Sequence, residues 1–271
     1  MTKLHDDFIK TIDPHWAQLC TGGGSLQVSN SILRMKFDSA QDGIYTDAQI
    51  DDQHTKLMKP DFPWRAPLRM TVRARSSHPA ATAESTKDSK GILRGTAGFG
   101  FWNKPVVLER DLITLPDAIW FFYASPPSNM ALVPNTPGWG WKAQVVHSMR
   151  LGAVANAVPL SVAALYGRVT GDVKPASRWM QRMTGTTEAI LSDDMTKWHT
   201  YVLEWRKDMA TFWVDGKLVL KKRVSITRPL AFIAWIDNAY AIATPRGELK
   251  FGAIETGSQW FEMDSVKIEP L

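Results

Sequence analysis

The residues of this chain able to move a proton near neutral pH are few. His147 follows a β-rich run, Gly138–Val146, and stands where the pattern breaks. An imidazole there would titrate close to neutrality and could serve as an acid or base. Asp237 closes the run Phe232-Ile233-Ala234-Trp235-Ile236 and precedes Asn238. A carboxyl group at the end of an apolar strand is a second proton-handling candidate, with Asn238 and Arg73 as polar ligand contacts. Nucleophilic catalysis lacks its marks: there is no G-x-S-x-G elbow, and Cys20 has no partner motif. Gly22-Gly23-Gly24 lacks the Lys of a phosphate loop and reads as a turn. No His/Cys spacing suits zinc.

Aromatic residues are abundant instead. The chain has 12 Trp in 271 residues. Trp102, Trp120, Phe122, Tyr123, Trp139, Trp141 and Trp235 are candidates for an aromatic ligand-binding face. A Trp can equally fill a core provided its N–H finds a partner. For Trp120 both readings stand; the glycines flanking Trp139 and preceding Trp141 suit the lip of a loop.

These side chains have to be positioned by strands. Tyr201, Leu203 and Trp205 alternate with Val202, Glu204 and Arg206, the period of a half-buried strand. Thr211–Val214, Asp215-Gly216 and Lys217–Leu220 then form a hairpin, because a type I′ turn needs positive φ at both central residues. Leu68–Arg75 alternates as well, with Met70, Val72 and Ala74 on one face. Further strands are expected at Leu33–Phe37, Asp47–Ile50, Thr96–Trp102, Ala118–Tyr123, Gly138–Val146, Leu230–Ile236, Gly247–Ala253 and Trp260–Ile268. Residues 149–195 break this pattern, and Pro175 ahead of Ala176–Met183 predicts a helix with Pro at its first position. The insertion is too apolar for a solvated loop. It is expected to cap the aromatic face, with Met180 as an adaptable contact.

The motifs W-x-x-Y-x-L-E-W (198–205) and F-W-V-D-G-K (212–217), with Phe99-Gly100-Phe101-Trp102 and the closing Phe261–Ile268, resemble family-16 glycoside hydrolases (laminarinase-like) and laminin-G-like domains. The resemblance implies an all-β fold, a two-sheet antiparallel jelly-roll sandwich of the concanavalin A-like kind, as one domain over 1–271 with a partly helical insertion at 149–195. It also implies a catalytic strand carrying E-x-D-x-x-E. In this chain the stretch reads Asp117-Ala118-Ile119-Trp120-Phe121-Phe122, so Asp117 matches the first acid while Ile119 and Phe122 replace the others. A retaining glycosidase needs two carboxyl groups ~5–5.5 Å apart; only Glu109 and Asp111 nearby offer a displaced pair. The resemblance further implies a possible structural Ca²⁺ held by Asp7 and Asp264, and no organic cofactor.

A formal charge of +5 without a Lys/Arg cluster argues against nucleic acid. A single Cys gives no intramolecular disulfide, and no apolar run is long enough to span a bilayer. With no secretory pattern at Met1–Asp7, a cytoplasmic setting is expected. Three functions stay open: binding or non-hydrolytic shaping of a small, largely apolar ligand by an aromatic pocket, divergent glycoside hydrolysis, and carbohydrate binding as a lectin. Oligomeric state is not legible.

Overall fold

Strict alternation of large apolar residues with polar ones can bury only one face of a strand, so two such sheets must close on each other. The computed structural model describes residues 3–56, 59–103, 117–130, 133, 136–147, 185–244 and 248–271. The first eight strands are β1 (Leu4–Asp6), β2 (Ala17–Thr21), β3 (Ser25–Ser29), β4 (Ile32–Phe37), β5 (Asp47–Asp51), β6 (His54–Lys56), β7 (Lys59–Asp61) and β8 (Leu68–Ser76). The middle of the chain gives β9 (Thr96–Trp102), β10 (Ala118–Ala124), β11 (Asn129–Met130), β12 (Gly140–Val146), β13 (Thr187–Ile190) and β14 (His199–Trp205). The last six are β15 (Met209–Val214), β16 (Lys217–Arg223), β17 (Ala231–Asp237), β18 (Ala239–Ala243), β19 (Leu249–Ala253) and β20 (Gln259–Pro270).

Two large antiparallel sheets make a jelly-roll sandwich. The first runs β16-β15-β14-β8-β20-β4-β3, with β1 added on β20; the second runs β13-β12-β10-β9-β17-β5-β2. The central hairpin stands as its sequence predicts: Asp215 and Gly216 both have positive φ, at 47° and 78°. The Asp215 carboxylate accepts from the Thr200 amide at 2.8 Å and contacts His199 Nδ1 at 2.6 Å, so both residues serve the turn.

The core lies between the sheets. Met70, Val72 and Ala74 of β8 meet Phe99 and Phe101 of β9 and Phe121 of β10 there, with Tyr201, Leu203 and Trp205 of β14. Residue parity then fixes what faces outward from the second sheet. In β10 the outward set is Ala118, Trp120, Phe122 and Ala124, which cluster with Ile233 and Trp235 of β17 and Val146 of β12.

The helix expected over Ala176–Met183 lies outside the described residues. There is no helix among the described residues, and the described end of the 149–195 insertion forms β13, which pairs with β12 from Lys142↔Ile190 to Val145↔Thr187. Apolar runs carry no strand-or-helix signal without a clear period, and Thr186-Thr187 favours strand through β-branching. Residues 149–184, including Met180 and the expected cap, lie outside the described residues.

Candidate functional site

The outer face of the second sheet is built on glycine. Gly98 and Gly100 of β9 stand opposite Phe122 and Trp120 of β10, and also opposite Trp235 and Ile233 of β17. A β-carbon on Gly98 would lie 3.0 Å from the Trp235 ring, and one on Gly100 2.5 Å from Trp120 Cα and Cβ. Those two bare positions let four rings converge. Trp120 lies 5.3 Å from Phe122, 5.3 Å from Trp235 and 6.3 Å from Trp102, centroid to centroid. Trp120, Phe122 and Trp235 are 9%, 7% and 6% exposed, whereas Trp102 and Met130 beside them are half-buried.

Polar groups edge this patch on the β12–β13 side. Trp120 donates its indole N–H to Gln144 Oε1 at 2.7 Å, and Gln144 Nε2 donates to Glu188 at 2.8 Å. Lys142 Nζ reaches the other Glu188 oxygen at 2.9 Å. Burial pulls the Lys142 ammonium below its ordinary range, and Glu188 opposes that shift. The Trp102 indole N–H, by contrast, is buried without a hydrogen-bond acceptor.

At that same end, two of the candidate proton handlers meet. Asp117 and His147 directly flank the paired ends of β10 and β12, Ala118↔Val146. His147 Nδ1 lies 3.1 Å from Asp117 Oδ1. Asp117 is buried, its amide donates to Asn103 Oδ1 at 3.0 Å, and Arg228 lies 3.8 Å from its second oxygen. A buried carboxylate that orients a half-exposed imidazole leaves Nε2 as the ring's other proton site.

Asp237 belongs to the opposite end of the face. It pairs with Thr96, six residues along β17 and β9 from the Ala231↔Trp102 rung. Six strand steps correspond to roughly 20 Å, so Asp237 and the Asp117–His147 pair do not form one centre. Its Oδ1 accepts from Thr96 N, Thr96 Oγ1 and Ala239 N, and Oδ2 accepts from Tyr45. Trp235 Nε1 donates to the same Thr96 hydroxyl at 2.9 Å. Opposite Asp237 across β17 and β5 stands Asp47. Burial and the two neighbouring carboxylates, Asp237 and Asp51, push Asp47 up to about 8. Asp237 rises to about 6 through burial, with Thr96 and Ala239 holding it back. Asp47 carries no signal of its own in the sequence, because Asp47–Ile50 reads as an ordinary short strand.

A carboxyl group raised this far is protonated in the fold at pH values where the unfolded chain has released its proton. Stability from this group is therefore complete below about pH 4 and declines as pH rises towards about 8. In chelator-containing buffer, Asp47→Asn is expected to flatten the pH dependence of the melting temperature between pH 4.5 and 8.5. Its advantage over wild type should grow with pH. A difference independent of pH would contradict the shift.

Several other nominated residues lie elsewhere. Tyr123 and Trp141 have inward parity on β10 and β12 and are fully buried in the sandwich; Tyr123 donates to Leu93 O and accepts from Ala81 N. Trp139 anchors a loop by donating to Thr82 O at 2.7 Å. Asn238 is buried and ties three segments together, through Thr46 N, Ile44 O and Ile254 O. Arg73 is on the first sheet, paired with Asp264 and 4.8 Å from the Trp198 ring. Asp7 and Asp264 do line one depression of ≈ 420 Å³ together, but Asp264 is taken by Arg73 and Asp7 by His5 at 3.1 Å. Two carboxylates so engaged are a poor start for the 6–8 oxygens of a calcium shell. Glu109 and Asp111 lie outside the described residues.

No family model matches the chain, and no curated protein matches it. Solved structures do resemble it along its whole length. A β-glucanase of Bacillus licheniformis is 11% identical with a TM-score of 0.51, over 99% of this chain and 98% of that one. A glycosyl hydrolase family protein from Mycobacterium fortuitum is 11% identical with a TM-score of 0.52, over 98% of each. A pseudo β-1,3-glucanase of Mycobacterium tuberculosis, described as an immunostimulatory antigen, is 12% identical with a TM-score of 0.50, over 99% and 98%. At such identities the likeness establishes the fold, a concanavalin A-like jelly-roll sandwich, and nothing finer.

Proposed function

We propose that the outer face of the second sheet binds a small, largely apolar ligand and that β10 performs no retaining glycoside hydrolysis. The observation that carries this reading is the outward set of β10: Ala118, Trp120, Phe122 and Ala124, without one carboxylate. A retaining mechanism needs a nucleophile and an acid/base on opposite sides of one bond, and β10 supplies neither. Four aromatic rings offer a ligand apolar contact and edge or stacked packing, worth ~0.5–1.5 kcal/mol per ring pair beyond area burial. The unpartnered Trp102 N–H suits a ligand with one acceptor atom beside its apolar body. Asp117 and His147 sit at that end, where an imidazole held by a buried carboxylate is able to give or take a proton in a non-hydrolytic rearrangement. That a pseudo β-1,3-glucanase adopts a similar fold is in keeping with a jelly roll put to other use.

The hydrolytic alternative has a direct test. Purified protein incubated with laminarin, lichenan and agarose is expected to release no reducing sugar above a heat-treated control. Release that disappears in Asp117→Asn would overturn this reading in favour of a hydrolase using the Asp117 region.

A further inference from the structure

A carboxylate pair at the far end of the same face has a chemistry of its own. Asp47 of β5 and Asp237 of β17 are direct cross-strand partners, and both point outward because Ala48, Ile50, Ala234 and Ile236 fill the core. Cross-strand partners on one face have Cβ atoms ~4.5–5.5 Å apart, which brings two short carboxyl side chains together. Asp47 is 0% exposed, and neither of its oxygens has a hydrogen-bond partner. Among the described residues no Lys or Arg forms an ion pair with either acid. Two buried carboxyl groups face to face require a shared proton or a cation, because like charges in a poorly solvated site do not both persist.

We propose that Asp47 and Asp237 form a binding site for a hard divalent cation of the calcium or magnesium type. Both Asp47 oxygens are uncommitted, and Asp237 Oδ2 has only the Tyr45 hydroxyl at 3.3 Å. This donor set is all oxygen, which selects hard cations over zinc or copper. No group of three or more His, Cys, Asp or Glu suited to a metal occurs among the described residues. The shell is therefore completed by the hydroxyl of the half-exposed Tyr45 and by water rather than by a third acid. The site is on the sheet opposite to Asp7 and Asp264, and it does not depend on what the aromatic patch binds.

The test is thermal unfolding of the full chain in EDTA at pH 7.5, followed by titration with CaCl2 and, separately, MgCl2. Wild type is expected to show a saturable rise in melting temperature of several degrees with at least one of the two. Asp47→Asn, which keeps the shape of the side chain, should fold and lose that rise; Asp7→Asn and Asp264→Asn should retain it. A melting temperature indifferent to both cations would overturn the proposal and leave the pair holding a shared proton. So would a rise that survives in Asp47→Asn.

Discussion

Replacing Lys142 by Met is expected to cost the protein ~3–5 kcal/mol of stability, the penalty for stranding one partner of a buried ion pair. The side chains of Lys142 and Glu188 are 3% and 0% exposed, and 2.9 Å separates Nζ from the carboxylate. Without the ammonium, Glu188 keeps only the Gln144 amide on its other oxygen. It must then take up a proton or remain charged in a poorly solvated place, and either route weakens the fold. At ~2–4 °C per kcal/mol for a chain of this size class, the melting temperature should fall by roughly 6–20 °C. The double variant Lys142→Met/Glu188→Leu removes both charges and should recover most of the loss. Scanning calorimetry of the two variants checks this, and a double variant no better than the single would contradict it. The functional consequence lies in Gln144, which links Glu188 to the Trp120 indole: loosening Glu188 should free the central ring of the aromatic patch.

Gly100→Ala is the second change of large effect. Gly100 has φ +149°, a conformation that costs an L-residue ~1–3 kcal/mol. An added methyl group would also sit 2.5 Å from Trp120 Cα and 2.6 Å from Ile119 O. Overpacking of this kind costs a further ~1–3 kcal/mol. Because the clash is with backbone, trimming Trp120 does not relieve it; β10 must move away from β9. The expected outcome is a loss of ~2–6 kcal/mol by denaturant unfolding, not rescued in Gly100→Ala/Trp120→Ala. Full rescue in the double variant would mean that only the Trp120 side chain, and not the strand spacing, depends on Gly100.

The fold was legible because its signals are local. The Asp215-Gly216 turn and the parity of Leu68–Arg75 each need only a handful of residues, and both stand as read. The aromatic patch was half legible. Trp102, Trp120, Phe122 and Trp235 do converge, but Tyr123 and Trp141 have the other parity and fill the core. An all-apolar strand such as Ala118–Ala124 carries no alternation from which to tell its faces, so parity had to come from the partner strands. Pairings between distant segments were beyond sequence reading altogether. Asp117 and His147 were nominated separately, and nothing in the chain says that β10 and β12 bring them to 3.1 Å. Asp237 was nominated without Asp47, whose significance arises only from the β5–β17 register.

Whether the aromatic patch receives an apolar ligand is most directly read from the tryptophans themselves. Labelling with 5-fluorotryptophan gives twelve ¹⁹F resonances, assignable by Trp→Phe variants. The labelled protein is titrated with an apolar ring compound, 1-naphthol, and in parallel with laminaritriose. The expected result is a saturable shift of the Trp120 and Trp235 resonances with 1-naphthol and none with the trisaccharide. Trp198 and Trp260, which lie against Arg73, Arg75 and Arg34 on the other sheet, should stay still in both. Movement of Trp120 and Trp235 with laminaritriose alone would contradict the apolar-ligand reading and place a carbohydrate on that face instead.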